Sequence, residues 1–142
     1  MLALAVKEWG SAGRRMAVPD QRRQQRGMVA WRSGMAAEAG VARHYEGRGC
    51  RILAQRWRGK AGEVDLIVQD GACIVFVEVK KAAGHAIAAA RIDRAKMDRL
   101  CQAAEEYCGQ LPSGLLTEMR FDAALVDQVG MIEVIENAFG LN

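Results

Sequence analysis

EVDLIVQDGACIVFVEVKK, residues 63–81, decides the fold. Two apolar runs interrupted by charge flank the pair Asp70-Gly71, and this reads as a β-hairpin because glycine tolerates the positive φ of a type I′ turn. A two-residue turn at Asp70-Gly71 pairs Gln69 with Ala72, Ile67 with Ile74, Asp65 with Phe76 and Glu63 with Glu78. Cross-strand partners share a face, and side chains alternate with a period of two. The register therefore predicts Glu63, Asp65, Glu78 and Lys80 on one side of the sheet, with Val64, Leu66, Val75, Val77 and Val79 on the other. VFVEVKK (75–81) is apolar around Glu78 and Lys80 on both faces, as an interior strand is.

Outward from the hairpin, CRILAQRW (50–57) reads as a strand, GKAG (59–62) as a turn, and RFDAALV (120–126) and MIEVI (131–135) as two more strands around Gly130. From Ser33, Met35, Ala39, Ala42 and Tyr45 recur at helical spacing, predicting a helix of about three turns that ends near Gly47 and Gly49. Glu38 shares the core side of that helix. Residues 93–108 read as a second helix, with Asp93 as N-cap, an apolar stripe of Met97, Leu100, Cys101 and Ala104, and Gly109 past its end. The order α-β-β-β-α-β-β predicts an α+β, three-layer domain on one sheet over residues 33–142. Residues 1–32 form a basic extension, irregular or partly helical.

The 142 residues, 51% hydrophobic, suit one core. Cys50, Cys73, Cys101 and Cys108 show no zinc spacing and read as buried free thiols in a reducing compartment. The start MLALAVKEWG lacks a basic n-region, and no window approaches the roughly 18 apolar residues of a membrane span. A cytoplasmic protein with no membrane partner is expected. Met28 and Met35 are alternative translation starts, a question for the intact mass of the natural product. Residues 1–32 carry seven Lys/Arg against two Asp/Glu, and the rest thirteen against fifteen. Such a basic arm either contacts an anionic partner or is simply disordered.

Like charges gathered on one sheet face disfavour joint ionisation unless a cation accompanies them. Mg²⁺ meets that need, since it takes a few carboxylate oxygens, a backbone carbonyl and several waters. Glu38 adds another acid. A lysine two residues from a metal-binding glutamate can orient water or stabilise charge building on a phosphate, chemistry that suits phosphodiester hydrolysis. The bland alternative is a solvated strand face, since an ExK pair is common.

Gly34 to Glu38 (GxxxE), RGCRILAQRWR (48–58) followed by GEVDLI (62–67), VFVEVK (75–80), Lys96, RFD (120–122) and NAF (137–139) resemble, in order and spacing, the YraN-like family of small bacterial proteins. That family is classed with the endonucleases of the PD-(D/E)XK superfamily, of restriction-endonuclease-like fold. The resemblance covers about residues 33–140. It implies a metal-dependent endonuclease acting on DNA, including branched or structured DNA. Asp65 and Glu78 are then the metal-binding acids with the carbonyl of Val79, Lys80 the signature lysine, Glu38 the first-helix acid and Glu63 a helper, with Mg²⁺ or Mn²⁺ as cofactor. Lys96, Arg120 and Asp122 fall on family positions as either functional or structural charge. The chain departs from the family pattern at Ala82, where an arginine is expected, so substrate grip is affected more than metal binding. A homodimer is the assembly expected for a small nuclease that must reach two strands.

Arg43, Arg48, Arg51, Arg56, Arg58 and Lys60 face a single acid, Glu46, within the same stretch and lead into the acidic cluster. They read equally as phosphate contacts or as a solvated face. Arg56, Arg58, Lys60, Lys81 and Lys96 are the candidate nucleic-acid-binding residues. Trp31 and Trp57 either stack on bases or pack in the core. GKAG is no P-loop, and His44 and His85 lack ligand spacing. The rival function is a nucleic-acid-binding or adaptor protein that keeps the fold and turns over little.

Overall fold

A computed structural model of the chain describes residues 21–81 and 94–138, with residues 21–33 as backbone only. Asp93, His85 and the Ala82 position lie outside the described residues, as do residues 1–20 and the side chain of Trp31. The fold is α+β. Helix α1 (Gln21–Gly47) precedes strands β1 (Arg51–Arg58), β2 (Glu63–Asp70) and β3 (Cys73–Lys81). Helix α2 (Arg94–Cys108), a 3-10 turn at Gly114–Leu116, β4 (Met119–Val126) and β5 (Ile132–Ile135) complete it.

The five strands stand in sequence order, antiparallel except where β4 joins β3 in parallel. A parallel neighbour needs a crossover connection, and α2 lies in it. Each helix covers one face. Ala37, Val41, Ala42 and Tyr45 of α1 pack on Leu66, Val68, Val75, Val77, Val79 and Ala124. Leu100, Ala103, Ala104 and Cys108 of α2 pack on Ile67, Ile74, Phe76 and Phe121. The helix α1 starts well before Ser33, and its buried stripe runs through Ala37 and Val41, whereas Met35 is exposed. At 1.5 Å per residue it is about 40 Å long, and among the described side chains those it buries lie between Ala37 and Tyr45. Cys108 is buried, and Cys50, Cys73 and Cys101 are only half-buried; all four are free thiols. No described helix is long and apolar enough to cross a membrane.

The hairpin differs from its expected register. The ladder runs on to Asp70↔Cys73, so the turn residues are Gly71 and Ala72, with Gly71 at φ 63° in the first turn position. Ile67 then faces Phe76 rather than Ile74, a shift of two residues. Because two is the period of side-chain direction, Asp65 keeps the face of Glu78 in principle but moves from opposite Phe76 towards Glu78. Gly59 serves the next turn by close approach: a Cβ there would lie 2.6 Å from the Trp57 ring and 2.8 Å from both Glu106 oxygens. The Lys60 amide donates to Glu106 (2.8 Å), docking this turn on α2. Trp57 meets Tyr107 edge to face at 5.4 Å, which is the packing alternative for that residue.

Arg120 and Asp122 form a structural knot on the α1 side. The Asp122 carboxylate, wholly buried, accepts from Tyr45 Oη (2.8 Å), from Arg120 Nε (2.9 Å) and Nη2 (3.2 Å), and from the Asn137 amide (3.0 Å). Burial and the adjacent Asp122 charge push the Tyr45 phenol upward, so the hydroxyl stays a donor. Arg120 reaches on to Asp70 at 3.4 Å and Glu136 at 3.8 Å. A buried carboxylate stripped of its cation is far costlier than one lacking a neutral donor. Accordingly, Tyr45→Phe should cost about 1–2 kcal/mol in urea unfolding and Arg120→Ala about 3 kcal/mol or more.

Candidate functional site at the fork between β2 and β3

Three ladders behave differently at one end of the sheet. β1 follows β2 out to Arg58↔Glu63, and β4 follows β3 out to Lys81↔Val126, but the β2–β3 ladder ends at Leu66↔Val77. The central pair therefore forks. Asp65 sits in the crotch, where its Oδ2 accepts the Val79 amide proton at 2.8 Å. A side-chain oxygen thus satisfies an N–H that a paired strand would have met with a backbone carbonyl. Glu78, one residue before Val79, is brought alongside.

The other side of β2 is irregular at the same point. The β1–β2 register slips between Ile52 and Ala54, and then passes from Gln55↔Leu66 to Trp57↔Val64. Arg56, the residue between, has φ 52°, a left-handed conformation rare outside glycine and asparagine. Side-chain alternation breaks here as well. Val64 joins the α2-side cluster with Ile67 and Phe76, so the expected grouping of Val64 with Leu66, Val75, Val77 and Val79 fails at that one residue.

Arg56 spans to α1. Its Nε donates to both oxygens of Glu38 at 3.1 Å, and its Nη2 lies 3.0 Å from Oε1. Glu38 is on the core side of α1, as its helical position requires, and is held by this arginine. Glu63 is buried and bonded by Arg58 Nη2 at 3.2 Å, the Arg58 side chain itself being exposed. Lys60 and Lys81 are exposed.

Glu78 is different from every other acid here. Its side chain is 0% exposed, yet neither oxygen has a hydrogen bond among the described residues. Lys96 Nζ stands 3.5 Å from Oε1, an ion pair longer than a hydrogen bond. Lys96 therefore lies buried beside Glu78 rather than on an outer face. It occupies the stripe of α2 that also carries Leu100, Ala103 and Ala104, and a lysine on a buried stripe was the signal in the sequence for that position. Lys80 joins the same group, on the α2 face, half-buried beside Glu78 and Lys96.

The electrostatics follow from this crowding. Burial pushes the Asp65 carboxyl well up, and the Glu78 charge adds to it, against the pull of the Val79 amide. Burial also raises Glu78, opposed by Lys96 and Lys80. Lys80 is lowered, by burial first and then by its contact with Lys96. Acids pushed up and a lysine pushed down in one recess are the arrangement in which a further cation or a phosphate changes the balance.

Among the described residues, no three acids, histidines or cysteines converge closely enough to form a metal cage by themselves. The donors present nevertheless fit a hard cation of the Mg²⁺ type, which takes only one or two carboxylates and keeps water or substrate oxygens on its other positions. The buried, unbonded oxygens of Glu78 and the carboxylate of Asp65 are the two such donors.

All of these site residues fall in one stretch shared with known relatives. The profile of the uncharacterised protein family UPF0102 matches residues 37–126, which include Glu38, Glu63, Asp65, Glu78, Lys80, Lys96 and Asp122. A UPF0102 protein of Cereibacter sphaeroides is 54% identical over 113 residues, covering 80% of this chain and 97% of the relative. One from Ruegeria pomeroyi is 50% identical over 108 residues, covering 76% and 88%. One from Roseobacter denitrificans is 47% identical over 112 residues, covering 79% and 87%. With more than half of its length matched, the chain belongs to the uncharacterised protein family UPF0102.

Proposed function

We propose that this protein is a divalent-cation-dependent endonuclease of the PD-(D/E)XK type that hydrolyses phosphodiester bonds in DNA, branched or structured DNA included. The observation that carries the reading is the fork, where the β2–β3 ladder stops so that Asp65 and the unbonded, fully buried Glu78 lie together beside Lys80. The resemblance of VFVEVK and GEVDLI to that superfamily's motifs supports it from the sequence side.

In this reading Asp65 and Glu78 hold Mg²⁺ or Mn²⁺ with the Val79 carbonyl. The bound cation supplies Lewis acidity towards a phosphoryl oxygen and makes water more acidic. The chain's own residues do the rest. Lys80 places an ammonium where negative charge accumulates on the phosphate under attack, and its half-buried setting strengthens that interaction relative to water. Lys96 fixes the rotamer of Glu78 by its charge at 3.5 Å. Arg56 holds Glu38 at the edge of the site, while the exposed Arg58 offers a phosphate contact. The rigidity of paired strands on either side of the fork keeps these groups in place.

A second reading, a binding or adaptor protein on the same fold, is favoured by the engagement of Glu38 with Arg56, which leaves two acids rather than three to hold a cation. The two readings part on turnover. The adaptor binds DNA in a salt-sensitive way and cuts none of it in Mg²⁺ or Mn²⁺.

Thermal unfolding should show a rise of several degrees on adding Mg²⁺ or Mn²⁺, abolished in both Asp65→Ala and Glu78→Ala; a parent protein indifferent to metal and DNA together would remove the cation from the scheme. On a substrate the parent cleaves, Lys80→Ala should lower the rate by roughly 10²-fold or more, and equal rates would sink the assignment. Asp65→Asn keeps an acceptor for the Val79 amide and removes one of two crowded charges. An acid raised in the folded state costs stability once ionised, from about pH 4 upward through the raised value. The metal-free variant should therefore melt higher than the parent at neutral pH, with the gain vanishing as the pH falls towards 4.

A further inference from the structure

Beyond the C-terminal ends of β3 and β4, on the α1 side, the turn into β5 leaves a cleft of about 320 Å³. Ala36, Ala37 and Gly40 of α1, with Val126 and Ile132, form its apolar wall. Arg43 and Lys81 also line it, both exposed, and neither has an ion pair or hydrogen bond among the described residues. The acid in the lining, Asp127, is already engaged: its Oδ1 accepts the amides of Val129 (3.0 Å) and Met131 (2.9 Å) within its own turn. The cleft is therefore apolar on one side and carries two uncommitted positive charges on the other.

Its position ties it to the fork. Lys81 follows Lys80 directly, and strand alternation sends Lys80 to the α2 face and Lys81 to the α1 face. An inorganic anion would leave the apolar wall bare, and a cleft of this size does not admit a duplex. A base against the wall and a phosphate beside the cations match both halves of the lining.

We propose that this cleft is a subsite for one unpaired nucleotide, its base on the wall formed by Ala36, Ala37 and Ile132 and its phosphate between Arg43 and Lys81. The inference rests on the nucleic-acid reading above and narrows its substrate to strands with unpaired nucleotides beside the cut, such as flaps, branches and frayed ends.

The test is fluorescence anisotropy of the full chain with a labelled oligothymidylate of about ten nucleotides, in EDTA, across a range of salt, beside a duplex of the same length. Arg43→Gln and Lys81→Gln should each reduce the slope of log affinity against log salt by about 0.7. Ala36→Trp, at an exposed position, fills the cleft without changing charge. It should weaken the single strand roughly tenfold, the worth of one lost base contact, with the slope and the duplex affinity unchanged. Gly40→Met is a second filling variant, since a Cβ there meets only ordinary contacts, 3.6 Å from Ile132. Filling variants that bind the single strand as the parent does, or that lose duplex affinity equally, overturn the subsite. These differences in a parent that cleaves nothing would uphold the subsite while ending the hydrolytic reading, and a parent that binds neither probe ends both.

Discussion

The hydrogen bond from the Val79 amide to the Asp65 carboxylate is the constraint on which the site depends. In an uninterrupted sheet that amide would face a backbone carbonyl of β2 instead of a side chain. A side chain in the carbonyl's place holds β2 and β3 apart while still satisfying the amide. Everything else conforms to that fork. The bulge in β1 and the left-handed Arg56 let β1 follow β2 away from β3. The parallel β4 keeps β3 straight up to Lys81, so the residues after the fork remain on a rigid strand.

Two wholly buried carboxylates among the described residues contrast with each other. Asp122 has four donors from three residues and needs nothing more. Glu78, equally buried, has no hydrogen bond among the described residues and is balanced by the ammonium groups of Lys96, at 3.5 Å, and Lys80. Burying a charge is expensive unless it is paired and bonded, and the fold meets that cost fully at one end of the sheet and incompletely at the other. In the proposed reading, that acid, with Asp65 beside it, would take the cation that completes its environment. The resemblance to phosphodiester-cleaving proteins names a chemistry that would use it.

Much of this was legible in the residues. The five strands, the second helix and the end of the first lie within a residue or two of where alternation, helical spacing and glycine placement put them, because each element's buried face is written in its own stretch. That Glu78 and Lys80 share a face was also legible, since side chains two apart on one strand point the same way. Glu38 on the core side of α1 followed from its spacing to Ala42 and Tyr45. The boundary at Ser33 was not legible, because the helix continues back through residues whose apolar pattern is poor, to Gln21.

The sequence by itself therefore determined the elements, their order and most of the sheet-face pattern, all of which arise from periodicity along one segment. Only the tertiary structure decided that Glu38 is engaged by Arg56, that Lys96 is buried against Glu78, that Asp122 is a structural acid, and that Val64 leaves its expected face. The physical reason is common to all four. Each depends on where one element lies against another, and no periodicity within a segment encodes how two segments meet.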